Sequence, residues 1–176
     1  MKDSAQKSSA DSGLSAIDLT RLNASFFNDE QLAQSKGEKY VVFCLGEKFF
    51  GISSEKVSEV VQRLSITPLP NVPDWLVGIA DLRGRIISVV SLEKLLDAPG
   101  ASFSPKTKFI VLKSQKFTSS VALAADRLSE IVVLKNEEIH LIENEKTPYL
   151  LGRTMYQSNA LDLLNVDNLL ASLKIS

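Results

Sequence analysis

The chain has 176 residues, 44% of them hydrophobic and 23% charged, which is close to the averages of globular proteins. This length allows one domain or two very small ones, and it excludes a large multidomain enzyme. With 20 basic and 21 acidic residues, a net charge of -1 and no basic block, the chain is not expected to bind nucleic acid. No apolar run approaches the roughly 20 residues of a membrane span and no signal peptide is recognisable, so we expect a cytoplasmic protein without membrane insertion.

Residues 1–35 differ in pattern from the rest of the chain. Serine and charged residues dominate the first part, which predicts a mobile tail. Leu22 and Phe26 belong to an apolar series at helical spacing, so a short amphipathic helix is predicted over 18–34. This helix either packs on its own domain or docks to a partner, and the sequence leaves both open. We therefore expect an N-terminal tail over 1–35 and a folded domain over 36–176.

From residue 40 onward, short apolar runs separated by polar breaks predict a mainly β fold with short helices. The predicted strands are residues 40–45, 49–53, 86–91, 108–113, 119–124, 130–134 and 159–165. Helical turns are predicted near residues 54–61, 91–96 and 166–173. The single cysteine, Cys44, lies in the first of these strands, where we expect an inert and packed thiol.

The sequence contains an internal repeat. One block matches at a constant offset of 74 residues and an upstream block matches at an offset of 71. The matching segments are 56–61 with 127–132, 75–78 with 149–152, and 86–96 with 160–170. Each half is predicted to contain an aromatic-X-X-Gly turn that precedes its last strand. Because a half of roughly 70 residues buries only a modest core alone, the two halves should share an apolar interface and fold as one unit.

The clearest difference between the halves is the segment Asp81-Leu82-Arg83-Gly84-Arg85. Its counterpart, residues 155–159, keeps neither the charges nor the glycine. Arg83 precedes Gly84 in a predicted turn, where a guanidinium can be held rigidly and presented to a partner carboxylate. Alternatively, Arg83 pairs internally with Asp81 or Glu59 and fixes the turn. Spacing alone does not decide between these two interpretations.

Together these motifs resemble the CheW-like chemotaxis coupling proteins. The resemblance extends from about Lys39 to Leu173. It depends on Val57-X-Glu59, on the proline-rich segment 66–73 and on Gly78-Ile79-X-X-Leu82-Arg83-Gly84, in this order and spacing. It implies a CheW-like fold, in which two intertwined five-stranded SH3-like β-barrels share an apolar core.

The same resemblance implies a non-catalytic adaptor without a cofactor. CheW-like proteins couple the cytoplasmic tips of chemoreceptors of the methyl-accepting type to the regulatory domain of a CheA-like histidine kinase, at membrane-associated signalling arrays. Carried over by position, the receptor-binding residues are Gly78, Asp81, Arg83 and Gly84. The residues expected to bind the kinase or another partner are Val57 and Glu59.

Two departures from the family pattern suggest an altered partner specificity. Asp81 stands where the family usually has Asn, and Ser91-Leu92-Glu93 stands where Asp-Leu-Arg is usual. An acid two residues from Arg83 is expected to hold the guanidinium back or to repel an acidic receptor tip. An altered specificity would fit a divergent array, such as one that controls type IV pilus motility, and the sequence leaves the flagellar and the pilus pathway open.

Other functions have less support in the sequence than the adaptor. A kinase inhibitor and a self-associating array scaffold stay open as alternatives within the same family. A small hydrolase is a distant alternative, because His140 is the only histidine and no serine or cysteine near it lies in a nucleophile motif. One histidine and one distant cysteine are too few for a metal site, and the scattered glycines do not form a nucleotide-binding loop. We therefore expect neither catalytic residues nor a metal or cofactor site.

Overall fold

The computed structural model describes residues 16–17, 37–98, 103–113, 120–143 and 147–173, and the predicted helix over 18–34 lies outside these residues. The described residues form thirteen strands and two short α-helices. The strands of the first half are β1 (Ala16–Ile17), β2 (Glu38–Leu45), β3 (Lys48–Ser53), β4 (Val57–Val61), β5 (Ile66–Thr67), β6 (Leu76–Leu82) and β7 (Arg85–Ser91). Those of the second half are β8 (Lys108–Leu112), β9 (Ser120–Ala125), β10 (Arg127–Leu134), β11 (His140–Leu141), β12 (Leu150–Tyr156) and β13 (Asn159–Leu164). The helices are α1 (Leu92–Leu95) and α2 (Val166–Ser172), and 3-10 turns cover Ser54–Lys56 and Asn136–Glu138.

The strands form two sheets that exchange hairpins between the halves. The first sheet has the order β1-β4-β8-β9-β7-β6-β5 and the second has the order β10-β2-β3-β13-β12-β11. Hairpin β8–β9 of the second half therefore completes the first sheet, and hairpin β2–β3 of the first half completes the second. Each exchanged hairpin is attached through a parallel pair, β7 with β9 and β13 with β3. The described strands thus form two intertwined sheets, and the prediction of a mainly β fold is confirmed.

Three apolar clusters explain why the exchanged strands are continuous apolar runs. Alternate residues of β2 and β8 point to different clusters, because side chains alternate between the two faces of a strand. Phe43 and Ile110 lie in a central cluster to which both halves contribute. Val111 lies in a second apolar cluster, which is formed on the first sheet, and Val42 lies in a third, which is formed on the second sheet. A single half would expose the central cluster to water, so the two halves fold around a common core.

The repeat occupies equivalent places in the two halves. Trp75 and Tyr149 are both partly buried against the central cluster. The Ser91 N–H donates to the Trp75 carbonyl at 2.8 Å, and the Asn165 N–H donates to the Tyr149 carbonyl at 2.7 Å. Since these contacts recur at the same offset, the matched aromatic residues serve the shared fold.

One local prediction was wrong and another was only partly right. The helical turn predicted over 54–61 is a 3-10 turn of three residues followed by strand β4, because Val57, Val60 and Val61 favour extended backbone. The predicted aromatic-X-X-Gly turn is only partly a turn: Trp75 ends a turn, and the three residues after it belong to β6, where Gly78 follows an irregularity in the pairing with β7. Cys44 is buried in β2, as expected. In the described part of the chain, no helix has the length and apolar character that a membrane span requires.

Candidate partner-binding surface

The β6–β7 hairpin positions Arg83 at its tip. Leu82 pairs with Arg85, which leaves a turn of two residues, Arg83 and Gly84, with φ angles of 54° and 79°. Two successive residues with positive φ are the mark of a type I′ turn, whose twist matches that of the flanking strands. The Gly84 N–H donates a hydrogen bond of 3.1 Å to Asp81 Oδ1. Asp81 therefore fixes the turn, and its carboxylate does not hold the Arg83 guanidinium.

Glu59 on β4 is the carboxylate that meets the guanidinium groups. Arg83 Nη2 lies 3.1 Å from Glu59 Oε2, and Arg85 Nη2 lies 3.8 Å from Glu59 Oε1. The Glu59 side chain is only 10% exposed, and its buried Oε2 accepts no well-aligned hydrogen bond from the described residues. The contact with Arg83 is thus an ion pair without hydrogen-bond geometry.

The arginine side chains stay open to solvent despite this pairing. Arg83 is 61% exposed and Arg85 is 59% exposed. Glu59 contacts one nitrogen of the Arg83 guanidinium, and the rest of this planar group can reach a partner. The sequence left two interpretations of Arg83 open, an internal ion pair and presentation to a partner. The structure shows the ion pair, with Glu59, and it also leaves the side chain exposed.

Val57 and Gly78 support this surface without offering a side chain to a partner. Val57 is fully buried on β4. Gly78 has a φ of 152°, and a Cβ placed there would collide with the Thr67 carbonyl oxygen of β5. Gly78 thus permits the close approach of β5 to β6. The partner-binding roles carried over to both residues stay predictions.

Sequence reasoning missed two residues of the hairpin. Arg85 shares Glu59 with Arg83, although it belongs to the charged segment that the repeat comparison singles out. Ile86 lies opposite Asp81 and is 59% exposed. Its signal is the alternation along β7, in which a residue next to the buried Ile87 must face outward. The hairpin therefore presents two guanidinium groups near its tip, and it exposes an apolar side chain on the other face of β7.

The second half has an equivalent turn with different chemistry. Glu130, the counterpart of Glu59, accepts a hydrogen bond of 2.5 Å from the Tyr156 hydroxyl and one of 3.2 Å from Gln157 Nε2. Burial and the hydrogen bond to Glu130 raise the pKa of Tyr156 above its ordinary value. A carboxylate thus reaches the hairpin tip in both halves, but the partners in the second half are neutral. The cationic surface around Arg83 is therefore specific to the first half.

The described residues do not support a metal-binding site. Within them, no group of three or more His, Cys, Asp or Glu residues is placed to hold a metal ion. His140 is exposed on the short strand β11, opposite Arg153. It does not face Cys44, which is buried in β2.

The fold agrees with the comparisons with known proteins. Residues 39–174 match the family model of the CheW-like domain, and the chain belongs to this family. It is 28% identical over 143 residues to the chemotaxis protein CheW of Klebsiella aerogenes, a match covering 79% of this chain and 85% of that protein. It is 30% identical over 144 residues to protein FrzA of Myxococcus xanthus, covering 78% of this chain and 89% of that protein.

A solved structure supports the same assignment. The scaffolding protein TtCheW from Thermoanaerobacter tengcongensis superposes with a TM-score of 0.66 at 26% identity, covering 73% of this chain and 89% of that chain. The family and the CheW-like fold expected from the sequence are therefore confirmed. Members of this family are non-catalytic scaffold or adaptor proteins, so this chain is not an enzyme and the hydrolase alternative falls away.

Proposed function

We propose that this chain is a non-catalytic adaptor that couples chemoreceptors to a CheA-like histidine kinase in a chemotaxis-type signalling array. Membership in the CheW-like family supports the coupling role. The receptor tip would bind at the β6–β7 hairpin, and the regulatory domain of the kinase would bind at a separate surface. On this proposal the chain works on the cytoplasmic side of the membrane, at receptor arrays.

One observation carries the assignment of the receptor to this hairpin. Arg83 is anchored by the buried Glu59 and is still 61% exposed. An anchored guanidinium loses less side-chain entropy when it binds a carboxylate than a free one does. Ile86, which is exposed on the same hairpin, would add apolar surface for a partner.

The adaptor would act by holding the receptor and the kinase in a fixed relative position. A rigid double-sheet module that holds receptor and kinase at two surfaces keeps them in a fixed relation. A receptor movement that changes the contacts at the hairpin would then change the relative stability of the active and inactive kinase states.

The test compares two exposed arginines that each pair with a carboxylate. Arg83→Gln removes the charge that pairs with Glu59, and Arg153→Gln removes the charge that pairs with Asp162 on the equivalent hairpin of the second half. Binding of a purified receptor-tip fragment and of the kinase regulatory domain is measured by calorimetry. We expect Arg83→Gln to weaken receptor binding about tenfold, as for a central interface arginine, and to leave kinase binding unchanged. Equal receptor affinity of both variants would contradict the proposed site.

A further inference from the structure

Strand β1 is the only described strand without a counterpart in the other half. When each strand is replaced by its equivalent, the order β4-β8-β9-β7-β6-β5 becomes the order β10-β2-β3-β13-β12-β11. The first sheet has one strand more, because β1 pairs antiparallel with β4 through Ala16 with Val61 and Ile17 with Val60. The repeated fold does not require this strand, so its presence needs a separate explanation.

The edge that β1 covers belongs to the strand that holds Glu59. Without β1, strand β4 would pair only with β8 and would present a row of free backbone donors and acceptors on its other side. Such an edge is a template for an added strand. Apart from the small Ser58 side chain, β4 exposes little side-chain surface, since Val57 is fully buried and Glu59 is 10% exposed. A partner that reaches β4 would therefore meet its backbone edge.

We propose that the β4 edge is a strand-addition site whose resident occupant is this chain's own residues 16–17, and that this occupancy lowers the affinity for the receptor. This inference rests on the proposed function, because it assigns regulation to the same surface. Strand β1 runs along β4 from Val61 to Val60, toward Glu59, whose carboxylate anchors Arg83. A receptor segment that lies on the hairpin and extends over β4 competes with β1 for this edge.

The length of β1 makes this competition feasible. Strands in globular proteins usually have 3–10 residues, and β1 has two. A contact of two residue pairs opens readily, as the least stable parts of a protein do. Covering the edge reduces the fraction of molecules that can bind, and the apparent affinity falls by the same fraction.

The first experiment measures the occupancy without any partner. Ile17→Pro removes a backbone donor from β1, and Ile17→Val is the matched control that keeps a strand-forming residue. Amide hydrogen exchange of residues 57–61 is followed singly by NMR in the full chain. We expect at least one amide at Val60 or Val61 to exchange about tenfold faster in Ile17→Pro and at the original rate in Ile17→Val. Strand β10, which has no added strand among the described residues, is the internal reference. Unchanged protection of β4 in Ile17→Pro would overturn the proposal.

The second experiment measures regulation, again with the receptor-tip fragment as the probe. We expect Ile17→Pro to bind this fragment about threefold or more tightly than the original chain, and Ile17→Val to bind equally. Equal or weaker binding by Ile17→Pro, together with normal binding by the original chain, would overturn the regulation alone. If neither the original chain nor Ile17→Pro binds the fragment, the adaptor function and its regulation both fail, while the exchange data still decide whether β1 covers β4.

Discussion

The backbone conformation of Arg83 costs more free energy than its ion pair contributes. A residue other than glycine in the left-handed region costs about 1–2 kcal/mol, and Arg83 has a φ of 54°. An ion pair with a largely exposed arginine returns less than about 1 kcal/mol. Stability alone therefore does not explain an arginine at this position, and the proposed recognition role does.

Tyr156 is the residue on which we expect stability to depend most directly in the second half. Its hydroxyl contacts Ser129, Glu130 and Gln157, so Tyr156→Phe would leave these polar groups with fewer partners. We expect a loss of about 1–3 kcal/mol in the free energy of unfolding, measured by urea denaturation at pH 7. Tyr149→Phe is the control, because the Tyr149 hydroxyl makes no hydrogen bond to the described residues. Equal losses in both variants would contradict the role given to the hydroxyl.

The raised pKa of Tyr156 predicts a loss of stability at alkaline pH. Burial is the main cause of this shift and the hydrogen bond to Glu130 adds to it. Because the unfolded chain ionises near the ordinary value of 10.0 and the folded chain ionises later, this contribution is complete below pH 10 and declines as the pH rises toward the folded pKa. Denaturation midpoints between pH 9 and pH 11 should therefore fall less steeply in Tyr156→Phe than in the original chain. An identical slope would show that Tyr156 does not titrate as described.

At the scale of elements, strand β6 and its turn carry two glycines that differ in surroundings. Gly84 has a φ of 79° and no neighbouring atom within 4 Å of the place where a Cβ would lie, so Gly84→Ala should cost only the backbone strain of about 1–2 kcal/mol. Gly78→Ala adds a collision with the Thr67 backbone, which would force β5 away from β6. We expect a loss of about 3 kcal/mol or more for Gly78→Ala, measured by thermal unfolding. Similar losses for both variants would mean that β5 moves at little cost.

Strand β4 shows where local pattern reasoning fails. Its five residues include Ser58 and Glu59, and polar residues at these places favour a helical turn when the segment is taken alone. Glu59 is nevertheless buried in the first sheet, with a relative exposure of 8%. A carboxylate at that position is tolerated because Arg83 and Arg85 lie beside it, and these arginines belong to a hairpin that is distant in sequence. A local window does not contain that information.

At the scale of the whole molecule, the exchange of hairpins predicts cooperative unfolding. Each sheet contains a hairpin from the other half, and the central cluster takes residues from both. Neither half can lose its structure without removing two strands from the other sheet. We expect a single urea transition with the same midpoint by far-UV circular dichroism and by fluorescence of Trp75, the only tryptophan. Midpoints that differ between the two probes would show that the halves unfold separately.

The sequence by itself determined the mainly β class, the two related halves, the common core and the family. These features depend on apolar alternation and on repeated motifs, which are visible in local windows and in their spacing. Only the tertiary structure decided which hairpin completes which sheet, because the equivalent strands β2 and β8 have the same apolar pattern and fit either place. It also brought Glu59 to Arg83 and Arg85 and placed β1 on the edge of β4. Those contacts join residues that are distant in sequence, and their free energy comes from packing and charge that no local pattern records.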